Sequence, residues 1–214
     1  MENMETSSLR VYGGVDGDHR KAERRAHLIE AGLDQLGAPG GEHLTVRGVC
    51  KRAGLATRYF YENFTDRDAL ALAVFDHVVE GIATSTLEAL RESPAEARAM
   101  TRAALANIVR TIAEDPRRGR LLFSAALTSP AIAERRLHST RLFVNLLGGQ
   151  AKTFYGLDDS TEVDLTAQFL VGGLAQALTA WLDNTLNISE NDLVDRCTEL
   201  FLATADTTTS PTTQ

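Results

Sequence analysis

Residues 44–70 read LTVRGVCKRAGLATRYFYENFTDRDAL, and the fold is decided here. Thr45 offers a hydroxyl that can cap a helix N-terminus, and Val46, Val49, Cys50 and Ala53 follow at helical spacing. Gly54 then stands where a left-handed turn needs no Cβ. Helical spacing resumes through Leu55, Tyr59 or Phe60, and Phe64, so two short helices are joined by about three residues. Rotation about the second helix turns Phe60 and Phe64 inward and leaves Thr57, Arg58, Tyr61 and, in part, Tyr59 outward. A helix-turn-helix lays its second helix in the major groove, which asks for base-reading side chains on that helix and phosphate contacts on its flanks. Arg58 suits base reading, because its fork matches guanine O6 and N7. Thr45 and Tyr61 offer hydroxyls to phosphate, and Arg67 sits where a cation and a helix N-terminus can share one phosphate.

The charge is placed to match. Of 214 residues, 22 are Lys or Arg and 29 are Asp or Glu, a net −7 that taken alone argues against nucleic acid. Its distribution matters more than its sum. Residues 1–18 carry one Arg against four acids, residues 19–64 carry eight basic residues against five acids, and residues 65–214 carry 13 against 20. A basic module on an acidic body holds one face to phosphates while the body stays soluble.

The rest of the chain reads as helices. Few aromatics, five prolines and abundant Ala, Leu, Arg and Glu favour an all-α fold over sheets. Residues 1–18 read as a disordered arm. A first helix opens near His19, with Ala22, Ala26, Ile29, Leu33 and Leu36 on one face, and residues 37–41 end it. After Asp66, Leu70, Val74, Val78 and Ile82 form a stripe in a helix long enough to run into a second domain. Ser93-Pro94, Asp115-Pro116, Ser129-Pro130, Ser160 and Ser189 each announce a helix start. The predicted helices are 94–114, 116–127, 130 to at least 148, 161–184 and 189–205, and residues 206–214 read as a disordered tail. The expected domains are a three-helix DNA-binding unit over 19–64 and an effector and dimerisation domain over 66–205.

The sequence resembles the TetR family of bacterial regulators. The resemblance lies in Leu44-Thr45-Val46-Arg47, in residues 50–55 (CKRAGL) and in residues 61–70 (YENFTDRDAL), and it covers about residues 20–82. A weaker echo runs from Gly172-Gly173-Leu174 to Trp181-Leu182 and the closing helix. The family pairs a three-helix DNA-binding domain with a divergent all-α domain, in which ligand binding usually releases DNA. Carried over by motif position, Thr45, Arg47, Thr57, Arg58, Tyr59, Tyr61, Asn63 and Arg67 are the DNA-contact candidates. The family often has a small residue at Arg58 and Thr or Ser at Tyr59, so the operator is expected to differ from a generic one; Ala at Cys50 and Lys at Arg67, also usual there, are tolerable swaps.

Other chemistry is weakly signalled. Cys50 and Cys197 are far apart and read as small core residues. His77 and Glu80 share a helix face, but no second pair accompanies them, so no metal site is expected. Nucleophile elbows, phosphate loops and catalytic clusters are missing from the sequence, which argues against an enzyme and against a cofactor. No signal peptide and no apolar run of about 18 residues is evident, which points to the cytoplasm and away from membranes. Gly172-Gly173 inside an apolar helix calls for a close helix approach, and the last two helices, residues 161–205, are expected to pair two subunits. An apolar effector is expected among helices 66–182, with Phe75, Phe123, His138, Phe143 and Gln168 as candidate lining. The expectation is a homodimeric, sequence-specific DNA-binding regulator, a repressor released from double-stranded operator DNA by a small molecule. The alternatives are an ordinary αα-hairpin with a solvated basic face, and a helical ligand-binding protein or degenerate enzyme without DNA binding.

Overall fold

The computed structural model describes residues 11–39, 44–123 and 130–209. Among them are nine α-helices and no strand: α1 (Val11–Leu36), α2 (Val46–Ala53), α3 (Thr57–Tyr61), α4 (Arg67–Glu92), α5 (Ala97–Glu114), α6 (Pro116–Phe123), α7 (Pro130–Tyr155), α8 (Thr161–Leu182) and α9 (Glu190–Thr209). The chain divides into two compact units, residues 1–74 and 75–214. The division falls inside α4, whose start packs into the first unit. A Cβ placed on Gly32 of α1 would lie 2.8 Å from Val74 Cγ2 and 3.4 Å from Leu70 Cδ2.

In the first unit, Leu28, Leu33 and Leu36 of α1, Val49 and Cys50 of α2, Phe60 of α3, and Phe64, Leu70 and Val74 are buried together. The start of α2 follows the predicted chemistry. Thr45 Oγ1 accepts from Gly48 N at 3.2 Å, and Gly54 ends the helix in the left-handed region at φ 67°. The adjoining Thr45 N–H donates to Gln35 Oε1 of α1 at 3.1 Å, tying the cap to its neighbour.

In the second unit, Leu105, Val109 and Ile112 of α5, Leu178 of α8, and Leu193, Val194 and Cys197 of α9 form one cluster. Trp181 Nε1 donates to the Ile188 carbonyl at 3.1 Å, closing the α8–α9 turn onto it. On the surface, Arg102 Nε donates to Asp195 Oδ1 at 2.8 Å, and Arg98 grips Glu199, both between α5 and α9. Gly119 on α6 is required to be small, since a Cβ there would lie 2.6 Å from Leu182 Cδ1 and 2.9 Å from Ile112 Cγ2.

Several boundaries differ from expectation. Residues 11–18, expected to form an arm, are helical, and α9 runs on to Thr209, because extending a nucleated helix adds a hydrogen bond for each residue fixed. Residues 1–10, 210–214 and 124–129 lie outside the described residues. Ser93 caps no helix start: its Oγ donates back to the Leu90 carbonyl at 2.8 Å, and α5 begins at Ala97. Ser160 does cap α8, accepting from Val163 N, and Ser189 Oγ accepts from Asp192 N at the head of α9. Both α4 and α8 reach the length and apolarity of a membrane-crossing helix, contrary to the expectation from sequence. In α4 a continuous stripe from Leu70 to Ile82 is buried, but only 17% of the apolar window of α8 is buried inside the chain. Gly172 and Gly173 are exposed, with nothing within 4 Å of an added Cβ, so the close approach expected there is not made among the described residues.

Asp115 joins α5 to α6 and tests the electrostatics of that corner. Its carboxylate accepts from the Arg117 backbone N–H at 3.2 Å and from Arg117 Nε and Nη2 at 2.8 and 2.7 Å. These hydrogen bonds, the Arg117 side-chain pair foremost, hold its pKa below the ordinary Asp value. Asp115→Ala is expected to lower unfolding free energy by about 1 kcal/mol at pH 7. A depressed folded pKa means this contribution exists above the unfolded value and fades as pH falls through the folded one. Urea unfolding from pH 7 down to acid should show the wild type and variant converging below the usual carboxylate range; a gap unchanged by acid would exclude the charged cap.

Candidate nucleic-acid interface and apolar cavity

α3 is short and fully specified by its neighbours. Phe60 is completely buried, and Phe64 packs against it with ring centroids 5.8 Å apart. Burying each phenyl ring contributes roughly 1.5–3 kcal/mol, enough to hold a single-turn helix in place. With Phe60 inward, Thr57, Arg58 and Tyr61 are exposed on the opposite face, and Tyr61 keeps 59% of its surface. Thr45, Arg47, Lys51 and Arg67 are also exposed.

Several of the candidate contacts are already engaged. Tyr59 is half-buried, and its ring lies under two guanidiniums, with Arg24 Cζ 4.7 Å and Arg58 Cζ 4.6 Å from the centroid. Arg58 Nη2 donates to the Tyr59 hydroxyl at 2.6 Å, and this bond raises the Arg58 pKa further. Asn63 Nδ2 donates to the Tyr59 carbonyl at 2.8 Å, closing the end of α3, while its buried Oδ1 finds no hydrogen-bond partner among the described residues. Arg67 sits 3.7 Å from Asp68, and Asp66 Oδ1 accepts from Ala69 N at 2.8 Å, which caps α4 and lowers the Asp66 pKa.

In the sequence Arg24 and Arg25 stand out only as basic residues crowding the opening turns of α1. Arg25 Cζ lies 4.6 Å over the Phe64 ring, so consecutive arginines of α1 cover consecutive aromatic anchors of the α3 region. The signal that could have found them is that pairing of adjacent arginines with aromatics at the inner and half-buried positions. Arg24 also approaches Glu62 at 3.9 Å.

The second unit holds a cavity of about 410 Å³, within the usual range for small-molecule sites. Its wall is formed by α4 through Phe75, Ile82 and Leu90, by α5 through Met100 and Ile108, by Phe123, by Phe143 and Leu147, by Leu170 and Leu174, and by Phe201. Phe75, Phe123 and Phe143 are among its lining residues. His138 and Gln168 do not line it, since both are exposed on the outer faces of α7 and α8. Asn107 of α5 is buried and does not line the cavity: it donates to Ser85 Oγ and Thr86 Oγ1 at 2.9 and 3.1 Å and accepts from Arg110 Nη2 at 2.9 Å. Arg136 and Gln150 of α7, which helical spacing does not single out, do line the cavity. Among the described residues no group of three or more His, Cys, Asp or Glu is placed to hold a metal ion. Cys50 and Cys197 are free and buried, and burial raises both thiol pKa values.

Arg24 shows which effect dominates in the basic face. Its buried Nε has no hydrogen-bond partner among the described residues, a penalty of about 1–3 kcal/mol, against about 0.5–1 kcal/mol from stacking on Tyr59. Stability therefore does not explain an arginine here. Arg24→Met should leave unfolding free energy unchanged or slightly raised in urea titrations; a clear loss of stability would mark the residue as structural.

No family model matches the sequence. An uncharacterized HTH-type transcriptional regulator of Mycobacterium tuberculosis is 24% identical over 182 residues, 84% of this chain and 76% of its own. The fatty acid degradation regulator FadR of Bacillus halodurans superposes with TM-score 0.69 at 17% identity, covering 84% of this chain and 94% of that one. FadR of Bacillus subtilis, solved in complex with stearoyl-CoA, gives TM-score 0.69 at 16% identity over 84% and 98%. A TetR family transcription regulator of Marinobacter aquaeolei gives 0.64 at 19% identity over 87% and 97%.

Proposed function

We propose that this chain, which has the fold of the TetR-family transcriptional regulators, is itself a sequence-specific DNA-binding regulator, a repressor released from its operator by a small molecule. The observation that carries the reading is the exposed face of α3. Thr57, Arg58 and Tyr61 stand clear of a buried aromatic anchor, and Arg47, Lys51 and Arg67 flank them. Arg58, stacked on Tyr59, reaches a base edge with fewer rotamers to lose than a free arginine. Tyr61, Thr45 and Arg67 hold phosphates, and the acidic remainder of the chain is repelled from the duplex. Being a regulator rather than an enzyme, it works in the cytoplasm on chromosomal DNA.

Two copies are required, because half-sites lie about one DNA turn apart and each copy supplies one recognition helix. The pairing surface is α8 with α9. Leu165 and Phe169 of α8 keep 68% and 70% of their surface and Leu200 of α9 keeps 64%, while Gly172 and Gly173 leave room for a second backbone. The effector enters the cavity of the second unit. FadR of Bacillus subtilis was solved with an acylated ligand, and an apolar wall is what such a molecule needs. α4 carries the signal: Phe75 and Ile82 line the cavity, and its first residue, Arg67, follows the recognition element. Effector acts only through its differential affinity for the two spacings of the recognition helices.

Binding to a promoter fragment that weakens with added salt is the first test; a protein that shifts no DNA would favour the ligand-binding alternative. Arg58→Ala should cost about 1–3 kcal/mol in operator affinity and relax preference at one position of each half-site. Arg67→Ala should weaken all sequences evenly and flatten the salt dependence. Footprinting titrations read both, and discrimination left intact in Arg58→Ala would remove the base-reading role.

For pairing, Phe169→Asp should yield a folded monomer by sedimentation, since that ring lies outside its own core. A charge at Leu178, 2% exposed, would instead unfold the chain. Wild-type protein sedimenting as a monomer at micromolar concentration would sink the dimer.

A further inference from the structure

The cavity wall is apolar on every helix and charged at one place. Arg136 is the single charged residue among its described lining, on α7 one turn before Thr140 and two turns before Phe143. The side chain is half-buried, and Nη2 donates to the Leu121 carbonyl of α6 at 3.2 Å, which fixes where the guanidinium sits. Burial pulls its pKa down, yet an arginine at physiological pH stays charged. The neighbouring hydroxyls cannot supply further donors, because Ser139 Oγ and Thr140 Oγ1 both donate to the Arg136 carbonyl at 2.9 Å. Gln150 lines the cavity from the same helix but about 21 Å further along it, too far to share a head group with Arg136. The charge is therefore confined to α7, while α4, α5 and α8 offer Ile82, Leu90, Ile108, Leu170 and Leu174 beside the neutral hydroxyls of Thr86, Thr101 and Thr166.

We infer that the ligand of this cavity is an anionic amphiphile with a single apolar chain, a long-chain carboxylic acid, whose carboxylate is held by Arg136 and whose tail lies among the helices α4, α5 and α8. This inference rests on the effector reading above and narrows it to one chemical class. A guanidinium and a carboxylate match in charge and in planar geometry, and their hydrogen bonds are strengthened by the surrounding apolar wall. A ligand with a cationic head would place like charges together, and one with a neutral head would leave the strongest donor group facing an uncharged partner. The apolar tail supplies affinity in proportion to the surface it removes from water. The carboxylate also competes with the Leu121 carbonyl for Arg136, so occupation of the cavity is felt at α6.

The test uses the full chain with three probes of equal tail: dodecanoate, dodecanol and dodecyltrimethylammonium, each below its micelle concentration. Calorimetric titration should give dodecanoate at least about tenfold tighter binding than dodecanol, and the cation the weakest. Arg136→Met should bring dodecanoate down to the dodecanol value, and Arg136→Lys should keep part of the gap. Equal affinities for dodecanoate and dodecanol in the wild type would overturn the inference, whatever the variants do. So would a preference that survives in Arg136→Met. Repeating the dodecanoate titration on the operator complex separates the two readings. A carboxylate preference without any DNA binding would sustain the ligand class and remove the regulator, whereas salt-sensitive DNA binding with no carboxylate preference would do the reverse. If both hold, operator must weaken dodecanoate binding by the factor by which dodecanoate weakens operator binding.

Discussion

A helix of five residues has no stability of its own in water, because nucleation fixes several dihedrals before the ladder returns anything. α3 exists only because Phe60 and Phe64 are driven under α1 and the start of α4. Everything offered to a partner on that element depends on this burial. Once Phe60 is inward, helical rotation places Thr57, Arg58 and Tyr61 on the far side without further adjustment. The caps on either flank sharpen the placement, Thr45 and Gly54 around α2 and Asp66 before α4. A single change at the anchor would thus disturb the outward face more than a change on the face itself.

The aromatic anchors also organise the positive charge. Arg24 and Arg58 converge on Tyr59, and Arg25 covers Phe64, so three cations are drawn to the edge of the core rather than spread through solvent. Such stacking contributes little energy per pair but restricts long side chains to few rotamers. The orphaned Nε of Arg24 and the orphaned Oδ1 of Asn63 sit in the same small region. Unsatisfied groups are tolerated where binding matters more than stability.

α8 illustrates a different balance. Val163, Ala167, Leu170 and Leu178 face inward, whereas Leu165 and Phe169 face out, so one apolar helix serves a cavity on one side and an exposed face on the other. The same helix carries Gly172-Gly173 in the open, although glycine in a helix interior costs about 0.5–1 kcal/mol each relative to alanine. Among the described residues nothing packs against either glycine to offset that cost.

Much of this is legible in residue order. Local hydrogen-bond chemistry acts at short range, which is why the capping roles of Thr45, Gly54, Ser160 and Ser189 and the inward turn of Phe60 and Phe64 follow from the order of residues alone. Helical spacing likewise foretells the stripe of α4 and puts Phe75, Phe123 and Phe143 on inner faces. Spacing says which residues share a face, and a helix inside a bundle has several. It does not tell that His138 and Gln168 point outward, that Asn107 is consumed by Ser85, Thr86 and Arg110, or that Arg136 reaches the cavity. Nor does it separate Leu178, sealed in its own core, from Phe169, left open one face away. Those assignments depend on which helices lie against which, a matter of long-range packing in which each side chain's fate is set by neighbours far away in sequence.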